Sequence, residues 1–505
     1  MVEANESNPN KYAFLRQCFL TASVAINIIG HGCVIGFSAI LIPSLRTPES
    51  YIRATASEES WIASVVGFAL IAGNFIITPM MDMLGRKRSH LLTTLPILAG
   101  WFMLLAVNSV VGLIAARFLQ GISMGMLGPL GSIIIGEMTD PKNRGAFLTF
   151  VSLSLTVGVL FVHLLGTILS WQQCALVCSF ITFTSLVLII YTPESPFWLI
   201  AKGRVEDCRK VFIYLRGSGD EQLDELEKII SAQMLVRKAS FADTRLPMCR
   251  RIQYFCRYLN QTLRKPEFYK PIIIMFVLYT MFQFAGINVI SSYAVDIIRK
   301  VVGPDANANV LMVALDIERL ICNIFAVFLM KTIKRRTLLF TAGTICVVAY
   351  IGKGSYIYAK EHNMLPFDNQ WVPMCLIGLY MFSLTVGISS VPFAISGEIF
   401  PLEYRGLGGG LSVLGLSMNF FIAVKSFPVL NESIGLAFTY FLYATVVVVC
   451  LVIIWFMLPE TKDKPLQEIE DMFRGSNRDR RVSEPLNIKV NGEAMMRRCS
   501  SSLIY

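Results

Sequence analysis

Charge is what this sequence has little of. Acidic and basic residues together make up 16% of its 505 positions, where a water-soluble domain carries about 25%. That shortfall excludes a chain whose surface meets water on every side. Histidine is scarcer still: four are present, His31, His90, His163 and His362, and no HExxH pair or Walker phosphate loop occurs, so metallohydrolase and nucleotide-driven chemistry lack their residues. The 12 cysteines are scattered, mostly within apolar stretches, with no CxxC spacing, which removes zinc ribbons and dithiol redox centres. Cys174 and Cys178 share a helix face without a His or acid beside them and read as small hydrophobes. Gly121-Ile122-Ser123-Met124-Gly125 has the form of a hydrolase nucleophile elbow. It lies in an apolar run with no strand before it, so close helix packing is the better reading. No enzyme, cofactor or metal is expected.

What is present is apolar. Hydrophobic residues reach 54%, with 35 Gly and 34 Phe and a mean hydropathy of +0.58. Stretches of about 20 apolar residues, long enough for ~30 Å of hydrocarbon, recur along the chain. They fall near 18–42, 61–81, 90–109, 112–136, 147–169 and 173–192, then near 271–293, 308–330, 338–358, 371–396, 407–428 and 435–458. The spacing predicts an all-α membrane protein of twelve transmembrane helices in two bundles of six. Its parts are a tail at 1–17, a first bundle at 18–192, a polar linker at 193–270, a second bundle at 271–458 and a tail at 459–505. The first apolar stretch is too long for a cleavable signal. Within the linker, Leu223, Leu226, Ile229 and Ile230 share one face of an amphipathic helix over 218–238. The basic tail from 475 reads as disordered.

Basic residues set the orientation. With both termini inside, roughly 36 Lys and Arg fall in tails and inner loops and about 5 outside. The net charge of +10 then faces anionic lipid and is no evidence for nucleic acid. Asn431-Glu432-Ser433 is a sequon in a very short outer loop, a candidate glycosylation site at Asn431; Asn5 and Asn260 head sequons on the inner side.

The two halves repeat one another. Gly136-Glu137 with Arg144-Gly145 ends span four, and Gly397-Glu398 with Arg405-Gly406, at the same spacing, ends span ten. Arg86-Lys87-Arg88 and Lys334-Arg335-Arg336 follow spans two and eight; Pro193-Glu194-Ser195 and Pro459-Glu460-Thr461 close spans six and twelve. Duplicated six-helix units are how many secondary transporters are built, with a substrate site at the midplane between them. The signatures place carboxylates and guanidiniums at the inner mouth. Glu137 with Arg405, or Glu398 with Arg144, would latch one half to the other when that mouth closes; the alternative is simple topology anchoring.

These motifs carry a resemblance. Together with Asp82-Met83-Leu84-Gly85-Arg86-Lys87, Arg117 with Gly121, Pro193 through Leu199, Gln283 with Gly286-Ile287-Asn288, and Glu398 through Pro401, they make the chain similar to the sugar porter family of the major facilitator superfamily over nearly its whole length. Ser60-Trp61-Ile62-Ala63-Ser64 and Lys425-Ser426-Phe427 look most like the insect facilitated trehalose transporters. The resemblance implies the major facilitator fold, alternating access, a facilitated flux of trehalose or hexose across the plasma membrane, and a monomer as a sufficient unit. It assigns Gln283 and Asn288 to substrate, and a gating network to Asp82, Arg86, Arg117, Glu137, Arg144, Glu194, Arg335, Glu398, Arg405 and Glu460. Asn419 and Phe393 complete the expected pocket, with Phe282, His163 and Arg319 as modifiers.

Chemistry agrees in kind: a sugar needs a few amides for its hydroxyls and a ring for its C–H face. Gln283 and Asn288 could equally be interhelical hydrogen bonds. The departures are specific. Phe282 stands where the family has a first glutamine, His163 where it has Gln or Tyr, Phe393 where Trp follows the proline, and Arg319 where it has Asn. Phe197 replaces an Arg, Thr78 a Gly, and the Asp and Gly expected before Arg335-Arg336 are missing. Span eight holds Asp316, Glu318 and Arg319; Asp316 and Arg319 are spaced to neutralise each other, or Arg319 lines the cavity and favours an anionic or strongly polar solute. Proton-linked members of the family carry an acid after the Gly-aromatic pair of span one, and Ser38 stands there. A proton-coupled or other polar-solute porter, using His163 or Glu318, and a non-transporting sensor are the alternatives.

Overall fold

The computed structural model describes residues 9–243, 261–303, 307–364, 371–400, 405–462, 468–469 and 472–473, with side chains described except at 9–11, 232–243 and 405. The tail from 475 and the sequons at Asn5 and Asn260 lie outside the described residues. All regular structure among them is helical.

Spans one to six are Pro9–Leu45, Ala56–Leu84, Arg86–Ala106, Val110–Met138, Pro141–Gly166 and Trp171–Tyr191. Span seven is broken into Pro266–Phe284 and Ile287–Val301. Spans eight and nine are Ala308–Thr332 and Arg335–Glu361. Span ten runs Trp371–Ser383, a π-helical turn at Leu384–Ser389, then Ser390–Glu398. Spans eleven and twelve are Arg405–Ser433 and Gly435–Met457. Eleven helices, counting the two pieces of span seven together, are long and apolar enough to cross a membrane. Span eight is the exception, because Asp316, Glu318 and Arg319 sit at its middle.

Local chemistry sets many of the ends. Thr55 and Glu58 form a reciprocal capping box at span two, and Ser170 with Gln173 does the same at span six. Ser109 and Asn307 cap spans four and eight. In each case a side-chain oxygen accepts an N–H that the helix itself cannot satisfy. Pro392 has no N–H for the carbonyl one turn back, and the π-helical turn sits just before it.

The spans pack as two groups of six. Within the first, span two lies on four, one on five, and three on four and six; the second repeats this with nine on twelve and seven on eleven. Small residues bring backbones close where no hydrophobic force separates protein from lipid. A methyl group at Gly158 would lie 2.1 Å from the Ile29 carbonyl oxygen, and one at Gly32 would lie 2.3 Å from that of Leu155. Large apolar side chains such as Phe75, Phe180, Phe328 and Phe456 remain exposed, as a lipid-facing surface requires.

The linker adds Pro196–Ala201, Val205–Arg216 and Asp220–Asp243. Leu226 and Ile230, from the amphipathic face read in the sequence, bury against Leu199, Ile200, Cys208 and Phe212. Arg216 ties this unit to the first bundle: it pairs with Asp140 and Glu225 and donates to the Thr139 carbonyl.

Gly158→Val is expected to force spans one and five apart, at about 1–3 kcal/mol for overpacking. Thermal unfolding of the detergent-purified protein should show a lower midpoint. Gly128→Ala, where a methyl group meets nothing within 4 Å, should leave the midpoint in place.

Candidate functional site

Span seven stops where Gly286 takes φ 85°, ψ 18°, a left-handed conformation that costs glycine nothing. The break strands carbonyl oxygens in a low-dielectric interior. Tyr380 and Tyr350 both donate to the Ala285 carbonyl, at 2.6 and 2.8 Å. A methyl group at position 286 would lie 2.7 Å from each of these hydroxyls, so glycine serves both the torsion and the caps. Behind them Lys353 Nζ sits 3.4 Å from the centre of the Tyr380 ring, 4.4 Å from Tyr440 and 4.5 Å from Tyr350. Three aromatic faces thus hold a buried ammonium by cation–π attraction.

Gln283 and Asn288 flank the break. Asn288 Nδ2 donates to Gln283 Oε1 at 2.7 Å, which leaves the Gln283 amide N–H groups and the Asn288 oxygen for other partners. Phe282 meets Phe393 of span ten edge to face at 5.5 Å, and Tyr279 lies 5.9 Å from the same ring. Phe393 is 49% exposed although it lies within a membrane span. Asn419 is spent on packing: its amide donates to Gly415 O at 2.9 Å and accepts from Thr280 at 3.2 Å.

Span eight departs from the pairing its spacing suggests. Asp316 does not pair with Arg319. Its carboxylate meets His163 Nδ1 of span five, and His163 Nε2 faces the Gly36 carbonyl at 3.2 Å. The packing of span five on span eight brings the imidazole closer than the guanidinium one turn away. The pair joins the two halves of the chain. Arg319 is 7% exposed; NH1 donates to Ser291 of span seven at 3.0 Å, and Nε has no partner. Glu318 points elsewhere, toward Gly378 of span ten.

The two faces of the bundle differ. On the tail face, where span one begins and span twelve ends, the duplicated motifs make two matching clusters. Arg86 pairs with Glu137 at 2.7 Å, Ser195 also donates to Glu137, and Glu194 accepts the Arg86 backbone N–H at 2.7 Å. Arg335 pairs with Glu398 at 3.2 Å, Thr461 donates to Glu398 at 2.7 Å, and Glu460 accepts the Arg335 N–H at 3.0 Å. Each cluster stays within its own half. In this arrangement both carboxylates are taken within their own halves, Glu137 by Arg86 and Glu398 by Arg335. Arg144 Nε is buried without a partner, and the Arg405 side chain lies outside the described residues. Asp82 forms no ion pair among the described residues. Arg117 stands apart from the network: it is 1% exposed within the first bundle and donates to Val34 O, Ser38 and Gln120, all uncharged, at 2.7, 2.8 and 3.0 Å. Methyl groups at Gly136, Gly145, Gly397 and Gly409 would meet nothing within 4 Å among the described residues.

On the opposite face the halves are joined. Arg46, at the end of span one, binds Glu59 of span two and both carboxylate oxygens of Asp296 of span seven at 3.0 Å. The Glu59 hydrogen bond, with the nearby Asp296 charge, raises the Arg46 pKa above its ordinary value despite partial burial. Lys425 Nζ lies 4.2 Å from the centre of the Trp61 ring, and Ser60 donates to the Lys425 carbonyl at 3.2 Å. A methyl group at Gly67 would meet the Phe421 backbone at 2.8 Å. A 550 Å³ cavity on this face is lined by Arg46, Glu59, Tyr293, Asp296 and Asn431 among others. Asn431 lies in the last turn of span eleven, not in a loop, and accepts from Lys300 at 3.1 Å.

A family model described as sugar (and other) transporter matches residues 18–473. The chain belongs to this family. This transporter is 26% identical over 486 residues to the facilitated trehalose transporter Tret1 of Bombyx mori, covering 96% of its own length and 92% of that protein. The Tret1 of Apis mellifera ligustica is also 26% identical, at 95% and 92% coverage. Among solved structures, the inward open xylose transporter XylE from E. coli superposes with a TM-score of 0.68 at 18% identity, covering 90% of this transporter and 98% of XylE. The XylE structure bound to 6-bromo-6-deoxy-D-glucose gives 0.67 at 18% identity, with 92% and 100% covered. At that identity the likeness speaks for the twelve-helix major facilitator fold. The family is one of transporters, not enzymes. Ser123 of the elbow-like sequence is buried in span four between His31 and the Thr93 carbonyl.

Sequence reasoning missed the Arg46–Asp296 bridge and the aromatic cage of Lys353. The cage left a signal, a lone lysine in an apolar span with Tyr350 one turn before it; the bridge, across 250 positions, left none. Asp296→Asn is expected to weaken the joined face by about 1 kcal/mol, a roughly fivefold shift toward opening there. Spin-label distances between the outer ends of spans one and seven, in nanodiscs, should lengthen in a larger fraction of molecules.

Proposed function

We propose that this transporter is a facilitative sugar carrier of the trehalose or hexose class, working by alternating access. The observation that carries the reading is the Gln283–Asn288 amide pair across the break in span seven, beside the Phe282–Phe393 aromatic edge. Amide donors and acceptors next to a ring are what a hydroxylated solute with an apolar face requires. The names of the Tret1 relatives support the substrate class. The joined face at Arg46 and the tail face, whose ion pairs stay within each half, describe one end state of the cycle, open toward the tails. With both termini cytosolic, as the basic residues argue, that state is open to the cytosol, and the membrane is the plasma membrane. The carrier unit is two bundles with a helical linker, and one chain suffices. Arg86–Glu137 and Arg335–Glu398 then act as hinges that keep each bundle rigid at the mouth, and Asn431 remains a candidate modification site facing outward.

Facilitated flux fits span one. Ser38 offers Arg117 a hydroxyl in place of a carboxylate, so this position has no proton to exchange. A proton-linked carrier is the second reading, favoured by the buried contact of His163 with Asp316 between the two halves.

Purified protein in liposomes should take up labelled trehalose or glucose saturably. Gln283→Ala should lower kcat/KM roughly tenfold or more, as expected for a lost hydrogen bond in a desolvated site. Absence of saturable uptake of any sugar, neutral or acidic, by folded protein would overturn the carrier reading. Uptake into acid-clamped vesicles that an uncoupler leaves unchanged would dispose of the proton-linked one.

A further inference from the structure

Two basic side chains enter the interior of the second bundle without a close ion pair among the described residues. Asp316 is engaged by His163, and Glu318 lies toward Gly378 on another face of span eight. Lys353 is held by tyrosine rings, and Arg319 hydrogen-bonds no carboxylate among the described residues, the Asp316 charge reaching it only from a distance. A charge in a membrane interior ordinarily finds an opposite charge or a full set of hydrogen bonds. Arg117 shows the second solution, with its guanidinium given to several neutral acceptors. Arg319 is buried to a similar degree and has one, Ser291. The guanidinium is used through NH1 alone, while Nε is buried and unpartnered and NH2 makes no hydrogen bond within the described residues. Nε and NH2 form the edge of a guanidinium that grips a carboxylate through two parallel bonds.

Position matters as much as charge. Ser291 follows Asn288 by three residues, about 4.5 Å along the helix, so the hydroxyl that holds Arg319 NH1 stands about one turn from the amide pair at the break. A sugar whose hydroxyls meet Gln283 and Asn288 extends that far at its exocyclic carbon.

We infer that the solute of this carrier is a sugar acid, its ring read by span seven and its carboxylate by the Nε–NH2 edge of Arg319. The inference rests on the carrier reading above and names its substrate class. The Phe282 and Phe393 replacements fit it, since an apolar wall strengthens the attraction of a cation for an anion.

The test uses the full chain in liposomes, with D-glucuronate, glucose and trehalose as labelled solutes, and Arg319→Asn and Arg319→Lys as variants. Wild type is expected to take up glucuronate saturably in preference to both neutral sugars. Glucuronate should also raise the thermal midpoint of the purified protein. Arg319→Asn should raise the half-saturating glucuronate concentration at least roughly tenfold. Arg319→Lys, with charge but no fork, should fall between. Should Arg319→Asn fail to fold, the lysine variant alone carries the comparison. Uptake of trehalose or glucose with no uptake or midpoint shift from glucuronate would overturn the inference and leave the carrier standing. Glucuronate uptake unchanged in both variants would also overturn it. No uptake and no midpoint shift from any solute would remove both readings.

Discussion

A polar group released inside hydrocarbon must be given a partner by the protein itself, because no water is there to supply one. The broken helix of span seven shows what that demands. Opening the helix at Gly286 frees the Ala285 carbonyl, and two tyrosines from spans nine and ten are committed to it. Their rings in turn face Lys353. The candidate pocket exists only because this support is in place: without the break, Gln283 and Asn288 would lie on one continuous helix, five residues apart and on different faces. The amide pair at the break is thus held in place by a layer of tyrosines and Lys353 behind it.

The same demand explains why the two halves meet where they do. His163 and Asp316 satisfy each other across the interface between spans five and eight, and Arg46 satisfies Glu59 and Asp296 across the opposite face. On the tail face the glutamates are satisfied within their own halves, so nothing polar is lost when the halves part there. A carrier needs contacts of both kinds. Those inside a bundle keep it rigid, and those between bundles must be few enough to exchange as the equilibrium shifts.

Arg319 and Arg117 are a matched contrast in how a buried guanidinium is accommodated. Each lies in the middle of a bundle and hydrogen-bonds no carboxylate among the described residues. Arg117 is closed off by backbone and side-chain oxygens and reads as architecture. Arg319, at a position where the resembling family has an asparagine, keeps an open edge, and a structural role alone leaves that edge unexplained.

Much of this was legible in the chain. Twelve apolar stretches, a duplicated set of loop motifs and a Gly-Ile-Asn sequence at an interrupted span specify the architecture and the break in span seven, because bilayer thickness and glycine torsions act on residues that are neighbours in sequence. The helix over 218–238 was readable for the same reason, from its own periodicity. Partner choice was not. Asp316 is spaced to meet Arg319 yet meets His163, 153 positions away; Glu137 and Glu398 find Arg86 and Arg335 within their own halves; Arg46 reaches Asp296 over 250. Each of these contacts is decided by differences of a few ångströms in how non-adjacent spans pack, and spacing along one helix carries no information about that distance. The sequence by itself determined which polar groups enter the membrane and where the helices break; only the tertiary structure decided which of those groups satisfy one another and which keep an unpartnered atom.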